Sequence, residues 1–467
     1  MAGMTHPLEP SQEQMRDMGR AAADFVADFV GHLPGAPADG VEPDASLRDL
    51  VLAAPGEEPS DWGGLLKAFG AAAGKAVETA GPGYLAYIPG GGLFSSALAE
   101  FLARSVNRYT GLAGMAPELV AMEQGVLQWL CGEFRLPGTA GGLITTGGSM
   151  ATLSAIVTAR HDRLGEDFGG GTLYVTAHTH HCVAKAARIA GFPAARVRVV
   201  PVTAGLRMDT GAAARMIAED RAAGLRPFFL VANAGSTETG TVDPIGALGQ
   251  LAAREDLWFH ADGAYGGFFQ LTGRGRAALA GIEATDSVVL DPHKGLFLPY
   301  GTGVLLVRDA APLGAAHSGG GSYLQDLDGH HGLPDFSTLG PELTREFRGL
   351  RIWLPLRLHG VAAFRAALDE KLTLAGHAYR DLAADPRLEL PWRPDLSVVA
   401  FRLRDGGDDA NLRLLASINA DGRIFISSTR IAGRVTLRLC ILSHRTHRDR
   451  VDHALSIIHR AARHLLP

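Results

Sequence analysis

An α/β fold built on a mostly parallel sheet is what these 467 residues predict, and three observations predict it. Short apolar runs rich in β-branched and aromatic residues recur from about residue 83: "TLYV", "VRVV", "PFFLVAN", "LWFHAD", "SVVLD" and "TGVLLV". Stretches of helical periodicity separate them, the alternation that lays parallel strands beneath helices on both faces. The 59 glycines and 25 prolines mark many tight turns rather than disorder, because the chain is 46% hydrophobic and 20% charged.

A chain of this length exceeds what one core usually serves, so two domains and an arm are expected. Residues 11 to 33 carry Met15, Met18, Ala22, Phe25, Val26, Phe29 and Val30 at helical spacing, an amphipathic helix that needs a partner surface. A Pro/Gly-rich connector, "PGAPADGVEPDA", follows. The strand-helix alternation then fills a large α/β domain. Near 343 a long helical stretch begins, with Pro355 as its expected kink. Beyond it "LSVVAFRLR", "RIFIS" and "VTLRLCIL" read as strands and "RVDHALSIIHRAARHLL" as a closing helix, which describes a smaller α+β domain. The boundaries expected are 1–82 for the arm, 83–345 for the large domain and 346–467 for the small one.

A net charge of −5 supplies no field favouring nucleic acid or anionic lipid. An uncharged stretch, 81 to 99, has the length of a membrane span, but its five glycines and two prolines would break a lipid-exposed helix. Cys131, Cys182 and Cys440 lie far apart without paired spacing, which suits a reducing compartment. No basic region followed by an apolar run opens the chain, so a cytoplasmic location is expected.

Four segments carry chemistry. In "GGLITTGGSMATLSAIVTARH" a Thr/Gly/Ser cluster stands between an apolar segment and a helical run, so backbone N–H groups and hydroxyls at Thr145 to Ser149 form either an anion site or an ordinary capped helix start. In "WFHADGAYGG" Asp262 ends an apolar strand, at the crevice that parallel strands open at their carboxyl ends. It reads equally as a helix cap or as a buried carboxylate that needs a cationic partner. In "SVVLDPHKGLFLPYGTG" Lys294 lies 32 residues beyond Asp262, a separation that lets both reach one crevice. Burial would disfavour its ammonium and free the amine for imine chemistry. A phosphate anchor, a partner for a cationic ring nitrogen and a Schiff-base amine are together what pyridoxal 5′-phosphate requires. The fourth segment holds His178, His180, His181 and Cys182; adjacent His181 and Cys182 are poor chelate spacing, and a flat imidazole stacked on a cofactor ring fits better, so no metal site is expected.

These segments in this order resemble the pyridoxal-phosphate-dependent amino-acid decarboxylases of the aromatic, histidine and glutamate decarboxylase family. "GYLAYIPGG" is similar to the family's "FFAYFP", "THHCVAKA" to "AHSSVERA", "HADGAYGG" to "HVDAAYAG", "DPHKG" to "NPHKW", and "TTGGSMATL" to its phosphate turn. The resemblance implies fold type I, with a seven-stranded sheet in the large domain, and a homodimer with active sites at the interface. It implies that Lys294 carries the cofactor, that His293 lies near phosphate and substrate, and that Asp262 pairs with the ring nitrogen. His180 would stack on one ring face and Ala264 on the other, Gly148 and Ser149 would hold phosphate, and Asn233 would take the place of a threonine beside the cofactor. Tyr87, Gly90 and Gly295 would stand on the substrate side.

Departures from the family pattern bear on the reaction. Gly90, Gly111 and Gly295 replace larger residues, which predicts a remodelled pocket with open space beside Gly295. Asp291 replaces an asparagine near the phosphate, where a carboxylate would repel unless turned away or paired. In the glycine-rich lid, Phe336 takes the place of a tyrosine that reprotonates the product, and phenylalanine has no proton to give; Tyr323, His330 and His331 are alternative donors. The reading is decarboxylation of an L-amino acid, aromatic among the options, to its amine through a quinonoid. Oxidative deamination to an aldehyde is the alternative, and transamination or a non-catalytic zinc-binding module are remoter ones.

Overall fold

The structure, a computed structural model, describes residues 8–319 and 332–465. Helices α1 (Gln12–His32), α2 (Ala45–Leu52), α3 (Trp62–Ala73), α4 (Phe94–Val106) and α5 (Pro117–Glu133) precede the main sheet. Ser11 and Gln14 close α1 with reciprocal side-chain to backbone bonds of 2.8 and 3.2 Å, a capping box that stops the helix where its apolar stripe begins. No residue of α1 is buried within the chain.

Strands and helices then alternate: β1 (Gly141–Thr145), α6 (Gly148–Leu164), β2 (Gly171–Thr176), α7 (Cys182–Ile189), β3 (Val197–Val200), α8 (Thr210–Ala222), β4 (Arg226–Asn233), α9 (Ile245–Arg254), β5 (Trp258–Gly263), α10 (Gly273–Ala278), β6 (Ser287–Leu290), α11 (Pro292–Gly295), β7 (Gly303–Val307) and α12 (Ala310–His317). The sheet runs β1-β7-β6-β5-β4-β2-β3; β7 is antiparallel to both of its neighbours and every other pairing is parallel. Every residue of β2, β5 and β6 is buried, which is why these segments read as unbroken apolar runs rather than alternating ones. Ala151, Ala155 and Ala159 of α6 are wholly buried, small residues that let this helix lie close under the strands and fix where its first turn points.

The remaining elements are α13 (Leu350–His359), α14 (Val361–Ala383), β8 (Leu388–Glu389), β9 (Val398–Leu403), α15 (Asp408–Asn419), β10 (Ser427–Ile431), β11 (Arg434–Cys440) and α16 (Arg448–Leu465), with a second sheet ordered β10-β11-β9-β8. The helix in which a kink is expected at Pro355 runs through that residue, from Leu350 to His359. Proline has no N–H for the Arg351 carbonyl one turn earlier, but the Ser96 hydroxyl donates to that carbonyl at 2.7 Å, and the helix continues to Gly360, whose positive φ of 72° ends it. The strand expected over "RIFIS" begins only at Ser427. Ahead of it Phe425 bonds the backbone of Gly83 at 2.9 Å and of Leu85 at 2.8 Å, so those residues serve a bridge to the segment before α4.

Buried charge ties the chain entering α13 to the start of the main sheet. Arg345 pairs with Glu123 at 2.5 Å, and both Arg345 and Arg348 donate to the Ile144 carbonyl at 3.2 Å, just before the turn into α6. Bonds of this kind leave that turn little freedom.

Candidate active site

The loops leaving β1, β2, β4, β5 and β6 meet at one end of the sheet, as expected where parallel strands present their carboxyl ends. They enclose a cavity of about 270 Å³. Gly148, Ser149, His180, Asn233, Asp262, Ala264, His293 and Lys294 all line it, so eight of the expected site residues, spread over 147 positions (148 to 294), converge. Asn233 and Asp262 are cross-strand partners on β4 and β5.

At the start of α6, Gly147 has φ of +148°, in a region that favours glycine, and a Cβ on Gly148 would stand 3.0 Å from the Asp291 carboxylate. Glycine at both positions lets the backbone N–H groups approach a ligand with no side chain between, on the positive end of a 17-residue helix. On the opposite wall the Asp262 carboxylate accepts from the Ala264 N–H at 3.2 Å, and no cationic side chain among the described residues pairs with it. Burial raises its pKa. A buried carboxylate left one bond and only the more distant Lys294 as counter-charge is suited to a protonated ring nitrogen.

His180 accepts the Cys182 N–H at Nδ1, 3.3 Å, which leaves Nε2 carrying the proton; burial keeps the ring's pKa low despite Asp262, so the imidazole is neutral and flat against the cavity. His293 donates from Nδ1 to the Thr302 carbonyl at 2.6 Å, and burial lowers its pKa as well. Asn233 is held by Asp243, which accepts its backbone N–H at 2.7 Å and its side-chain amide at 2.8 Å.

Lys294 departs from expectation. Burial disfavours its ammonium, but the Asp291 carboxylate lies 2.9 Å from Nζ and, with Asp262 farther off, raises the pKa above the ordinary lysine value. The paired Asp291 is therefore the resolution of the expected repulsion, and the lysine is a clamped ammonium rather than a freed amine.

Other expectations are corrected. Gly295 leaves no open space: a Cβ there would stand 2.5 Å from Cβ of Phe268, which fills the region. We expect Gly295→Trp to destabilise the protein by at least about 1–3 kcal/mol, as overpacked cores do, and the added change Phe268→Ala to recover part of that loss in urea titrations. At Gly111 the Tyr109 hydroxyl occupies the place, 2.5 Å from a Cβ position, and donates to the Leu343 carbonyl at 2.6 Å. Gly90 abuts the His293 carbonyl and the Tyr300 ring, 2.8 and 3.2 Å from its Cβ position, behind the cavity wall. Tyr87 is 59% exposed and outside the cavity lining. Phe336 is 1% exposed, with the Arg345 guanidinium 4.9 Å over its ring, and the cavity is lined without it. Tyr323, His330 and His331 lie outside the described residues.

The histidine-rich segment forms no metal centre among the described residues. His178 pairs with Glu238 at 2.5 Å, and burial pushes the Cys182 thiol up to about 12. Sequence reasoning missed Ser236 and Thr237, which also line the cavity; the "GSTETG" turn after β4 was their signal. It also missed buried Arg438, which donates to the Tyr87 carbonyl at 3.1 Å and to the Thr237 and Glu238 carbonyls and so holds that turn against the small sheet.

A phosphate turn, an unpaired carboxylate, a flat imidazole and a lysine around one cavity define a pyridoxal-phosphate enzyme of fold type I. The model of the pyridoxal-dependent decarboxylase conserved domain matches residues 43–404, and the chain belongs to that family. It is 33% identical to an aromatic-L-amino-acid decarboxylase of Bacillus atrophaeus over 454 residues, 95% of this chain and 94% of that protein. It is 28% identical to a phenylacetaldehyde synthase of Arabidopsis thaliana over 98% of each chain. The solved structure of Oryza sativa TDC with PLP and tryptamine superposes with a TM-score of 0.93 at 26% identity, over 99% of this chain and 100% of that one. The protein is thus a carboxy-lyase of amino acids that uses pyridoxal 5′-phosphate.

Proposed function

We propose that the protein removes the α-carboxylate of an aromatic L-amino acid and releases the amine. The observation that carries this reading is the convergence of Lys294, Asp262, His180 and the Gly148–Ser149 turn on one cavity, in a chain similar to an aromatic decarboxylase. Bound pyridoxal 5′-phosphate would supply an electron-withdrawing ring that accepts the electrons of the broken Cα–carboxylate bond. The residues do the rest. Lys294 anchors the cofactor and, once displaced by substrate, stands ready to move a proton. Asp262 keeps a proton on the ring nitrogen. His180 and Ala264 would flank the ring, Gly148 and Ser149 would bind phosphate, His293 sits beside Asp291 and Lys294, and Asn233 is fixed by Asp243 against the cavity wall.

A second copy of the chain completes the proposal. Helices α1 and α4 expose Met15, Met18, Phe94, Leu98, Phe101 and Leu102, apolar surface that a homodimer would cover. The three cysteines are free and buried, which supports a reducing, cytoplasmic setting; no helix among the described residues is long and apolar enough to cross a membrane.

Oxidative deamination to an aldehyde is the second reading, favoured by phenylalanine at 336 and by the similarity to a phenylacetaldehyde synthase. One experiment separates them: incubate wild type and Phe336→Tyr with a panel of L-amino acids and score amine, aldehyde and peroxide together. The first reading expects amine without peroxide and, because the ring is buried away from the cavity, an unchanged product ratio in the variant. Aldehyde in step with peroxide, shifted toward amine by the variant, would establish the second.

A further inference from the structure

Asp291 has no part in the chemistry assigned so far, yet it is one of the most constrained residues of the site. Its side chain is buried, Oδ2 lies 2.9 Å from Lys294 Nζ, and Oδ1 has no hydrogen-bond partner. Both oxygens press on Gly148, whose Cβ position is 3.0 and 3.1 Å from them. The charged and titratable groups facing the lysine are Asp291 at the N-cap of α11, His293 from α11, Asp262 from β5, His180 with Cys182 at the start of α7, and Tyr300 from the loop before β7. Of these, Asp291 alone is in hydrogen-bond contact with Nζ.

We propose that Asp291 is a positioning residue that clamps the Lys294 amine and thereby gates capture of the aldehyde cofactor. The inference rests on Lys294 as the anchor and is independent of substrate and product. An amine adds to an aldehyde only with its lone pair free. Lys294 must therefore release one ammonium proton to solvent. The lone pair then forms the C–N bond, the carbonyl oxygen leaves as water with the two remaining amine hydrogens, and C=N replaces C=O. A carboxylate at 2.9 Å holds the proton that has to leave, and a neutral amide in its place would hold it far less. Each pKa unit removed from the lysine raises the reactive fraction tenfold.

The test follows capture by the full-length apoprotein through visible absorbance between about pH 6 and 9, spanning the region below the lysine range. Two aldehydes are compared: pyridoxal 5′-phosphate and pyridoxal, which lacks the phosphate. Asp291→Asn is expected to take up both about tenfold faster at neutral pH, and Asp291→Glu to return the rate toward wild type. A gain confined to the phosphate form would overturn the clamp, since Asp291 would then act only by repelling phosphate; unchanged rates would overturn it too. Wild type alone gives a second check that does not depend on a variant folding: its rate should climb about tenfold per pH unit without levelling, and a plateau near neutrality would refute the proposal. Lys294→Ala separates the two layers of argument. Capture that persists in it defeats the anchor, whereas capture lost there but unaltered in Asp291→Asn defeats the clamp alone.

Discussion

Replacing Lys294 by alanine is expected to abolish covalent attachment of the cofactor and to cut turnover by at least about 10²–10⁴-fold, the contribution typical of one positioned proton-transfer group. Borohydride reduction of loaded wild type followed by peptide mass analysis should place the cofactor on the peptide containing residue 294; a label elsewhere would refute the assignment. The substitution has a structural cost as well. Lys294 and Asp291 form a pair whose carboxylate side chain is 4% exposed, and removing one partner of a buried pair typically costs about 3–5 kcal/mol because the other charge is stranded. The double variant Lys294→Ala with Asp291→Asn should regain most of that loss in urea titrations and still fail to attach the cofactor. Stability and chemistry are thereby separated at one position.

Why some of this was legible in the sequence and some was not comes down to the range of the interactions. Strands β2, β5 and β6 announce themselves because every residue in them is buried, and the fold type follows from their alternation with helices. The separation of Asp262 and Lys294 is legible because one crossover must lie between them. Contacts between distant segments are not. Phe268 cancels the open space that local sequence suggests beside Gly295, and the Ser96 hydroxyl, 255 positions away, satisfies the Arg351 carbonyl that Pro355 cannot. The charge of Lys294 turns instead on a contact within one helical turn. Apolar neighbours along the chain suggested a neutral amine, whereas the group three residues earlier, brought back by one helical turn, decides the balance. Phe336 shows that a position matched by motif still has to be placed in space: its ring lies in the core under Arg345.

Asp262→Asn should lower turnover by about one to two orders of magnitude, because a charge-assisted hydrogen bond contributes about 1.5–3 kcal/mol and the amide keeps the shape without the charge. The bond from the Ala264 N–H can survive, since asparagine retains an acceptor oxygen, so loss of fold is not the expected cause. A pH experiment on the apoprotein isolates the charge. Burial raises the folded-state pKa of Asp262, so the unfolded chain gives up this proton at a lower pH than the folded one does. The folded state then binds more protons across that interval, and stability falls as pH rises through it. Thermal melts should show apo wild type losing stability relative to Asp262→Asn as pH climbs above the usual carboxylate range. Loading the cofactor should reverse the order, because a protonated ring nitrogen gives the carboxylate a counter-charge closer than Lys294. Equal pH dependence of the two apoproteins would mean that the carboxylate finds another partner, and the case for Asp262 as the ring's partner would fall with it.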